Sequence, residues 1–293
     1  MDLGWLTEFP EELRLPLADW VDRLVAFLLA HFGELFAAIR SAILFVLLPI
    51  ERALLALPWS LVVVLLAVAA WRAGGWRLAA GVTIGLVAIA SFGTWTATMI
   101  TAAIVVTAVV VAVTTGIPLG IAMARSARVS ALMRPVLDFM QTLPSFVYLV
   151  PIVMLFRIGR APALIAVLVY AIPPVIRLTE LGIRQVPGET VEAAAAFGST
   201  PAQMLRKVEL PLAFPTIMAG VNQTTMMALA MVIVASLVGA PGLGEVVLRG
   251  LGRQDVGLAF VGGIAIVILA MVMDRMTQAF AGGSGVARRS TGA

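Results

Sequence analysis

From Trp95 to Ala124 the sequence runs without a single charged side chain, and Phe139–Phe156, Ala161–Ile176, Leu212–Gly244 and Val256–Met273 are equally bare. A bilayer core takes about 20 apolar residues per helix. In lipid every backbone N–H and C=O must be satisfied within the protein, which leaves helices as the fold for runs this long. The chain as a whole is 61% apolar and 12% charged, against roughly 45 to 50% apolar residues in soluble domains. The fold class is therefore an all-α polytopic membrane protein. Spans are expected at 58–72, 76–93, 95–124, 135–157, 161–179, 213–238 and 256–276, about seven in all.

Two regions stand apart from these spans. Residues 32–57 are apolar but carry Glu34, Arg40, Glu51 and Arg52 together with Pro49. Charge at the bilayer centre is costly, so this stretch reads as an amphipathic helix on the interface in preference to a span. Residues 1–31 lack a basic segment leading into an apolar core and read as an acidic external tail, not a signal peptide. The expected division is thus 1–31 tail, 32–93 amphipathic helix with two accessory spans, 94–280 main transmembrane domain and 281–293 cytoplasmic tail.

Lysine and arginine placement orients the spans. One side collects Arg72, Arg77, Arg125, Arg128, Arg134, Arg177, Arg184, Arg206, Lys207, Arg275, Arg288 and Arg289, which is twelve of the twenty basic residues. That side is the cytoplasm, with the N-terminus outside and the C-terminus inside. Because the basic residues are spread over short loops, the net charge of +4 does not indicate nucleic acid.

The same inventory excludes several chemistries. There is no cysteine, hence no disulfide, thiolate metal site or cysteine nucleophile. The single histidine, His31, makes neither a metal site nor a proton relay. Uncharged spans lack the titratable groups a proton-driven carrier requires. No G-x-x-x-x-G-K-[ST] phosphate loop is present, so if ATP drives transport a different polypeptide hydrolyses it.

Against this background the polar segment 185–211, which holds the only lysine, Lys207, is unusual. Pro187, Glu189 and Glu192 suit the start of a short helix, and Gly198 suits its left-handed end. Thr200, Pro201 and Gln203 form a capping box that restarts a helix. Arg206 and Lys207 would occupy its last turn, with Pro211 ending it. Two short helices meeting at a glycine corner are expected, the first offering Ala193, Ala194, Ala195 and Ala196 for close approach. On local physics alone, an ordinary amphipathic loop is as good a reading.

The pattern Glu192-Ala-Ala-Ala-Ala-Phe-Gly198 followed by Leu210-Pro211 resembles the coupling loop of ABC-importer permeases. Residues 134–156, 171–187, 210–259 and 268–279 are similar to the membrane subunits of glycine betaine/proline betaine osmoprotectant importers, and choline and carnitine importers are close to them. The resemblance implies a type I ABC-importer transmembrane domain. It implies that Glu192, Ala193, Ala194, Gly198, Arg206, Lys207, Leu210 and Pro211 couple to an ATP-binding subunit. The implied assembly is a homodimer with two such subunits, which bind ATP and Mg, and an extracytoplasmic substrate-binding protein, all set in membrane lipid. No cofactor belongs to this chain.

Three further groups bear on the path. Gln141, Thr142 and Ser145 lie in a span among prolines, and Phe146, Tyr148 and Phe156 could present ring faces to a quaternary ammonium, although packing explains aromatic residues as well. Asn222, Gln223, Thr224 and Thr225 form the most polar run inside a span and either line a path or bond between helices. Glu245, Arg249 and Arg253, in the glycine-rich stretch 239–257, are candidates for an external mouth or belong to a plain solvated loop. A sodium-coupled carrier and a non-transporting scaffold are the alternatives, and neither accounts for the segment 185–211.

Overall fold

The computed structural model describes residues 15–283, which contain no strand. Helix α1 (Leu17–Ala56) is followed by a hairpin of α2 (Trp59–Gly74) and α3 (Trp76–Ser91), then by α4 (Trp95–Arg125), α5 (Ala127–Thr142), α6 (Ser145–Phe156) and α7 (Arg160–Arg184). A polar corner carries α8 (Gly188–Ala196) and α9 (Pro201–Met204), and a π turn (Leu205–Glu209) leads into α10 (Leu210–Ala235). Helices α11 (Leu243–Gly252) and α12 (Val256–Gly283) close the bundle.

Helix α7 is the centre of the fold, packed on α4 along one side and on α10 along the other. Small residues set both contacts, as is usual where helices associate in lipid. A Cβ added at Gly120 would stand 2.6 Å from the Ile176 carbonyl oxygen, and one at Gly116 would stand 2.7 Å from Val175. Residue numbers thus rise together along α4 and α7, which run parallel. Gly182 faces Ala213 and Gly220 faces Pro174, so α10 runs antiparallel to α7. The return between α4 and α7 is made by α5 and α6.

That return is not the straight span expected over 135–157. Helices α5 and α6 meet at an angle of 100°, with Leu143 at φ −66°, ψ 130° immediately before Pro144. A residue preceding proline is driven out of the helical region, and here that preference prevails although Phe139–Phe156 carries no charge. By length and composition α1, α4, α7, the rod Pro201–Val238 and α12 can cross a membrane, and the bent α5–α6 pair makes a sixth. The hairpin helices have 16 residues each, about 24 Å, and fall short of the core thickness.

Residues 17–56 are helical, with a kink at Phe32, φ −121° and ψ 15°, beside the expected division between residues 31 and 32. Of the tail reading, residues 1–14 lie outside the described residues, as do residues 284–293 of the proposed cytoplasmic tail. The charge that argued most against a span, Glu51, is buried and receives two hydrogen bonds of 3.0 Å from Arg160. Phe36 meets Phe156 edge to face, with ring centroids 5.4 Å apart. Helix α1 is therefore fastened at the turn joining α6 to α7.

Candidate functional site

The corner between α7 and α10 is built by local hydrogen bonds. Helix α8 starts after Pro187 and ends where the Phe197 N–H donates to the Ala193 carbonyl at 3.1 Å. Gly198 then adopts φ +81°, which places its N–H 2.9 Å from the Ala195 carbonyl and that of Ser199 3.1 Å from the Ala194 carbonyl. Such a left-handed residue satisfies the last carbonyls of a helix. The capping box follows as expected: the Gln203 N–H donates to Thr200 Oγ1 and the Thr200 N–H to Gln203 Oε1.

Helix α8 has no buried residue, and the Phe197 ring beyond it is 92% exposed. Glu192, Ala193, Ala195 and Ala196 are exposed and Ala194 is half-buried. The corner is nevertheless anchored. Arg125, at the end of α4, donates to the Pro201 carbonyl at 3.1 Å and to Glu209 at 3.0 Å. Glu180 of α7, 6% exposed, accepts from Ser130 at 2.7 Å and Arg134 at 3.2 Å, and pairs with Arg184 at 3.0 Å. Arg184 also donates to the Met123 carbonyl, and Arg177 pairs with Asp138.

These pairs draw α4, α5, α7 and α9 together beside the corner. Apart from Glu180 and Arg184, which are four residues apart on one helix, the side-chain partners are 39 to 84 residues apart and no periodicity links them. One local expectation fails. Arg206 and Lys207 lie in the π turn, not in a final helical turn, and Pro211 does not end the helix. The Leu210 N–H bonds the Leu205 carbonyl, five residues back. Pro211, which has no N–H, comes just after this π turn, and the helix continues through it as α10.

The residues considered for a path differ in burial. Gln141, Thr142, Phe146 and Gln223 are exposed, and Ser145 is half-buried. Tyr148 points inward, its hydroxyl 3.8 Å from Met231 Sδ, while Phe156 packs on Phe36. No aromatic cage forms among these rings. Asn222 donates to Asp274 at 3.0 Å, and Thr225 bonds back to the Val221 carbonyl at 2.9 Å. Thr224 is wholly buried with no partner for its hydroxyl.

At the opposite end of the bundle the glycine-rich stretch is more than a solvated loop. Gly239 and Gly242 take positive φ values of 80° and 125°, and α11 then turns back into the bundle with Leu243 wholly buried. The Leu243 N–H donates to Thr101 Oγ1 at 2.8 Å. A Cβ on Gly250 would lie 2.4 Å from the Ala259 nitrogen, so this glycine permits close packing rather than a turn. Glu245 and Arg249 pair at 3.4 Å beside a depression of about 370 Å³, and Arg253 is exposed just beyond the helix.

With this geometry in place, comparison with known proteins is informative. Residues 116–283 match the family described as binding-protein-dependent transport system inner membrane component. The glycine betaine/proline betaine transport system permease protein ProW of Escherichia coli (strain K12) is 48% identical over 265 residues, covering 90% of this chain and 75% of that protein. The glycine betaine/carnitine transport permease protein GbuB of Listeria monocytogenes is 45% identical, covering 91% of this chain and 95% of that protein. Among solved structures, an inward-facing MetNI methionine ABC transporter superposes with a TM-score of 0.57 at 23% identity, over 62% of this chain and 94% of that one. The chain is an inner membrane transport permease and belongs to the family of binding-protein-dependent transport system inner membrane components.

Proposed function

We propose that this chain is the permease subunit of an ATP-driven importer of quaternary-ammonium osmolytes of the glycine betaine class, which includes choline and carnitine. The observation that carries the proposal is the corner: a helix with no buried residue, ending in a 92% exposed phenylalanine yet tied by hydrogen bonds to the spans behind it. An ATP-binding partner covering Glu192–Phe197 gives that surface a purpose. The names of the relatives supply the substrate class. Glycine betaine and carnitine, each a methylated ammonium with a carboxylate, are neutral overall and fit spans that hold few charges.

In this reading two copies pair around a two-fold axis. Gln141, Thr142, Phe146 and Gln223, exposed on one chain, then face a path between the copies, and Tyr148, Ser145, Asn222 and Thr225 support its walls. Two ATP-binding subunits lie on the cytoplasmic side with the ATP and Mg. A substrate-binding protein docks at Glu245, Arg249 and Arg253. Closure of the ATPase pair moves α8 and α9, and Arg125 and Glu180 pass the displacement to α4, α5 and α7, opening the outer mouth. The chain itself performs no covalent step.

Reconstitution in proteoliposomes tests this. Uptake of radiolabelled glycine betaine should require ATP inside and binding protein outside. Uptake that continues with ATP exhausted and a sodium gradient imposed would establish a sodium-coupled carrier instead.

A further inference from the structure

On the outer surface of the bundle, away from the corner and the path, a groove of about 540 Å³ runs between α3 and α12. Its walls are Leu78, Val82, Ile268, Met271 and Val272, and Gly85 lets α3 pack closely on Ile268 of α12. At one end stand two arginines from different elements, Arg77 and Arg275. Gly81 faces the open groove, since a Cβ built there meets no atom within 4 Å. Ile84, Val267 and Met271 beside it are exposed, as lipid-facing residues of a membrane bundle are.

Neither arginine is paired with an acid among the described residues. Asp274, next to Arg275 in sequence, is engaged by Asn222 and Gln278 instead. Arg77 lies 5.7 Å from the centre of the Trp76 ring, and Trp71 and Trp76 are both exposed. Tryptophans concentrate at the headgroup level of a bilayer, which sets the depth of the guanidinium pair. From Arg77 to Gly85 the groove extends about 12 Å along α3. It therefore combines two uncompensated cations at headgroup depth with an apolar trough leading toward the membrane centre.

We infer that this groove binds an anionic phospholipid, its phosphate on Arg77 and Arg275 and one acyl chain lying past Gly81 along α3 and α12. Charge complementarity selects the occupant. A zwitterionic lipid brings no net charge to the arginines, and a free anion leaves the trough unfilled.

Native mass spectrometry on the full chain, purified with its companion subunits, tests the assignment. Dioleoyl-phosphatidylglycerol and dioleoyl-phosphatidylcholine share acyl chains, so their difference reads the headgroup. The preference expected from two arginines is roughly 30-fold. The double variant Arg77→Gln, Arg275→Gln should bind the two lipids equally, and Arg77→Lys with Arg275→Lys should restore most of the preference. Gly81→Leu fills the trough without a clash and should weaken retention of both lipids while the thermal midpoint holds. Equal binding of the two lipids by the unaltered protein overturns the inference, as does a double Gln variant that keeps the preference or a Gly81→Leu variant that keeps full retention. Glycerol 1-phosphate that competes as well as the intact lipid overturns the acyl-chain contact. A change of subunit stoichiometry in Gly81→Leu, with lipid retention unchanged, assigns the groove to a second copy and also refutes it.

Discussion

Replacing Gly198 with valine isolates the corner from the rest of the molecule. A side chain there strikes nothing, since no atom lies within 4 Å of an added Cβ, so the whole penalty comes from the backbone. At φ +81° an L-residue is disfavoured by about 1–2 kcal/mol, and a β-branched residue sits at the upper end. The spans, held by contacts elsewhere, lose little. The corner becomes 5 to 30 times less populated in its bent form, the factor corresponding to that energy. Asparagine tolerates left-handed angles, so the loss should rise from Gly198→Asn through Gly198→Ala to Gly198→Val. The assay is ATP hydrolysis stimulated by binding protein and glycine betaine in proteoliposomes, with co-purification of the ATPase as a second readout. Full stimulation and full uptake in the valine variant would refute the reasoning. So would an equal loss in Asn and Val with a lowered thermal midpoint, because that pattern reports general unfolding.

Other substitutions probe the supports. Gly120→Ala places a methyl group 2.6 Å from the Ile176 carbonyl and should destabilise the α4–α7 contact by about 1–3 kcal/mol, read as a lowered thermal midpoint in detergent; Gly188→Ala, where a Cβ meets nothing, serves as the control. Arg125→Gln removes an ion pair and a hydrogen bond to the corner and should lower stimulated ATP hydrolysis several-fold, consistent with about 1 kcal/mol for a half-exposed pair, with partial recovery on exchanging the charges of Arg125 and Glu209. Glu51→Gln leaves Arg160 without its partner. As the Arg160 side chain is 39% exposed, the cost should be about 1–3 kcal/mol, below that for a fully buried pair, and α1 should gain faster amide exchange while α7 does not.

What the sequence made legible followed the range of the interactions. The capping box at Thr200 and Gln203 and the left-handed Gly198 depend on neighbours within four residues, and both stand as read. So do the apolar runs of α4, α7 and α12, where composition alone settles the matter. The break at Leu143 has a local signal, because Pro144 restricts the residue before it, but the stretch Phe139–Phe156 around it carries no charge and has the length of a span. Glu180 with Arg184 is an i,i+4 pair within α7, but its meeting with Ser130 and Arg134 was not legible: those side chains meet only after α5 has folded back across α7. The reversal of α11 into the bundle was masked by its glycines, which signal turns and close packing alike; only the neighbours at Thr101 and Ala259 distinguish the two.

The continuity of the segment past Pro211 bears most directly on how motion at the corner reaches the far side. An interior proline removes one hydrogen bond and strikes the carbonyl four residues earlier. Here the turn before it is a π turn, in which Leu210 bonds five residues back, so the chain widens ahead of the ring and the helix goes on. The result is a helical segment from Pro201 to Val238, 38 residues and about 57 Å long. One end carries the capping box of the corner and the bond to Arg125. The other end bonds the Gly159 N–H through the Val238 carbonyl at 3.0 Å and leads through the turn 239–242 into α11. Gly182 and Gly220 bring α7 against this rod along its length, so the two move as one body. In the proposed cycle a displacement at α8 would reach the Thr101–Leu243 contact through the 197–200 corner, this rod and the glycine turn at 239–242. Single π turns inside helices recur at functional sites, and the exposed Arg206 and Lys207 project from this one, beside the surface an ATP-binding partner would cover in the proposed assembly.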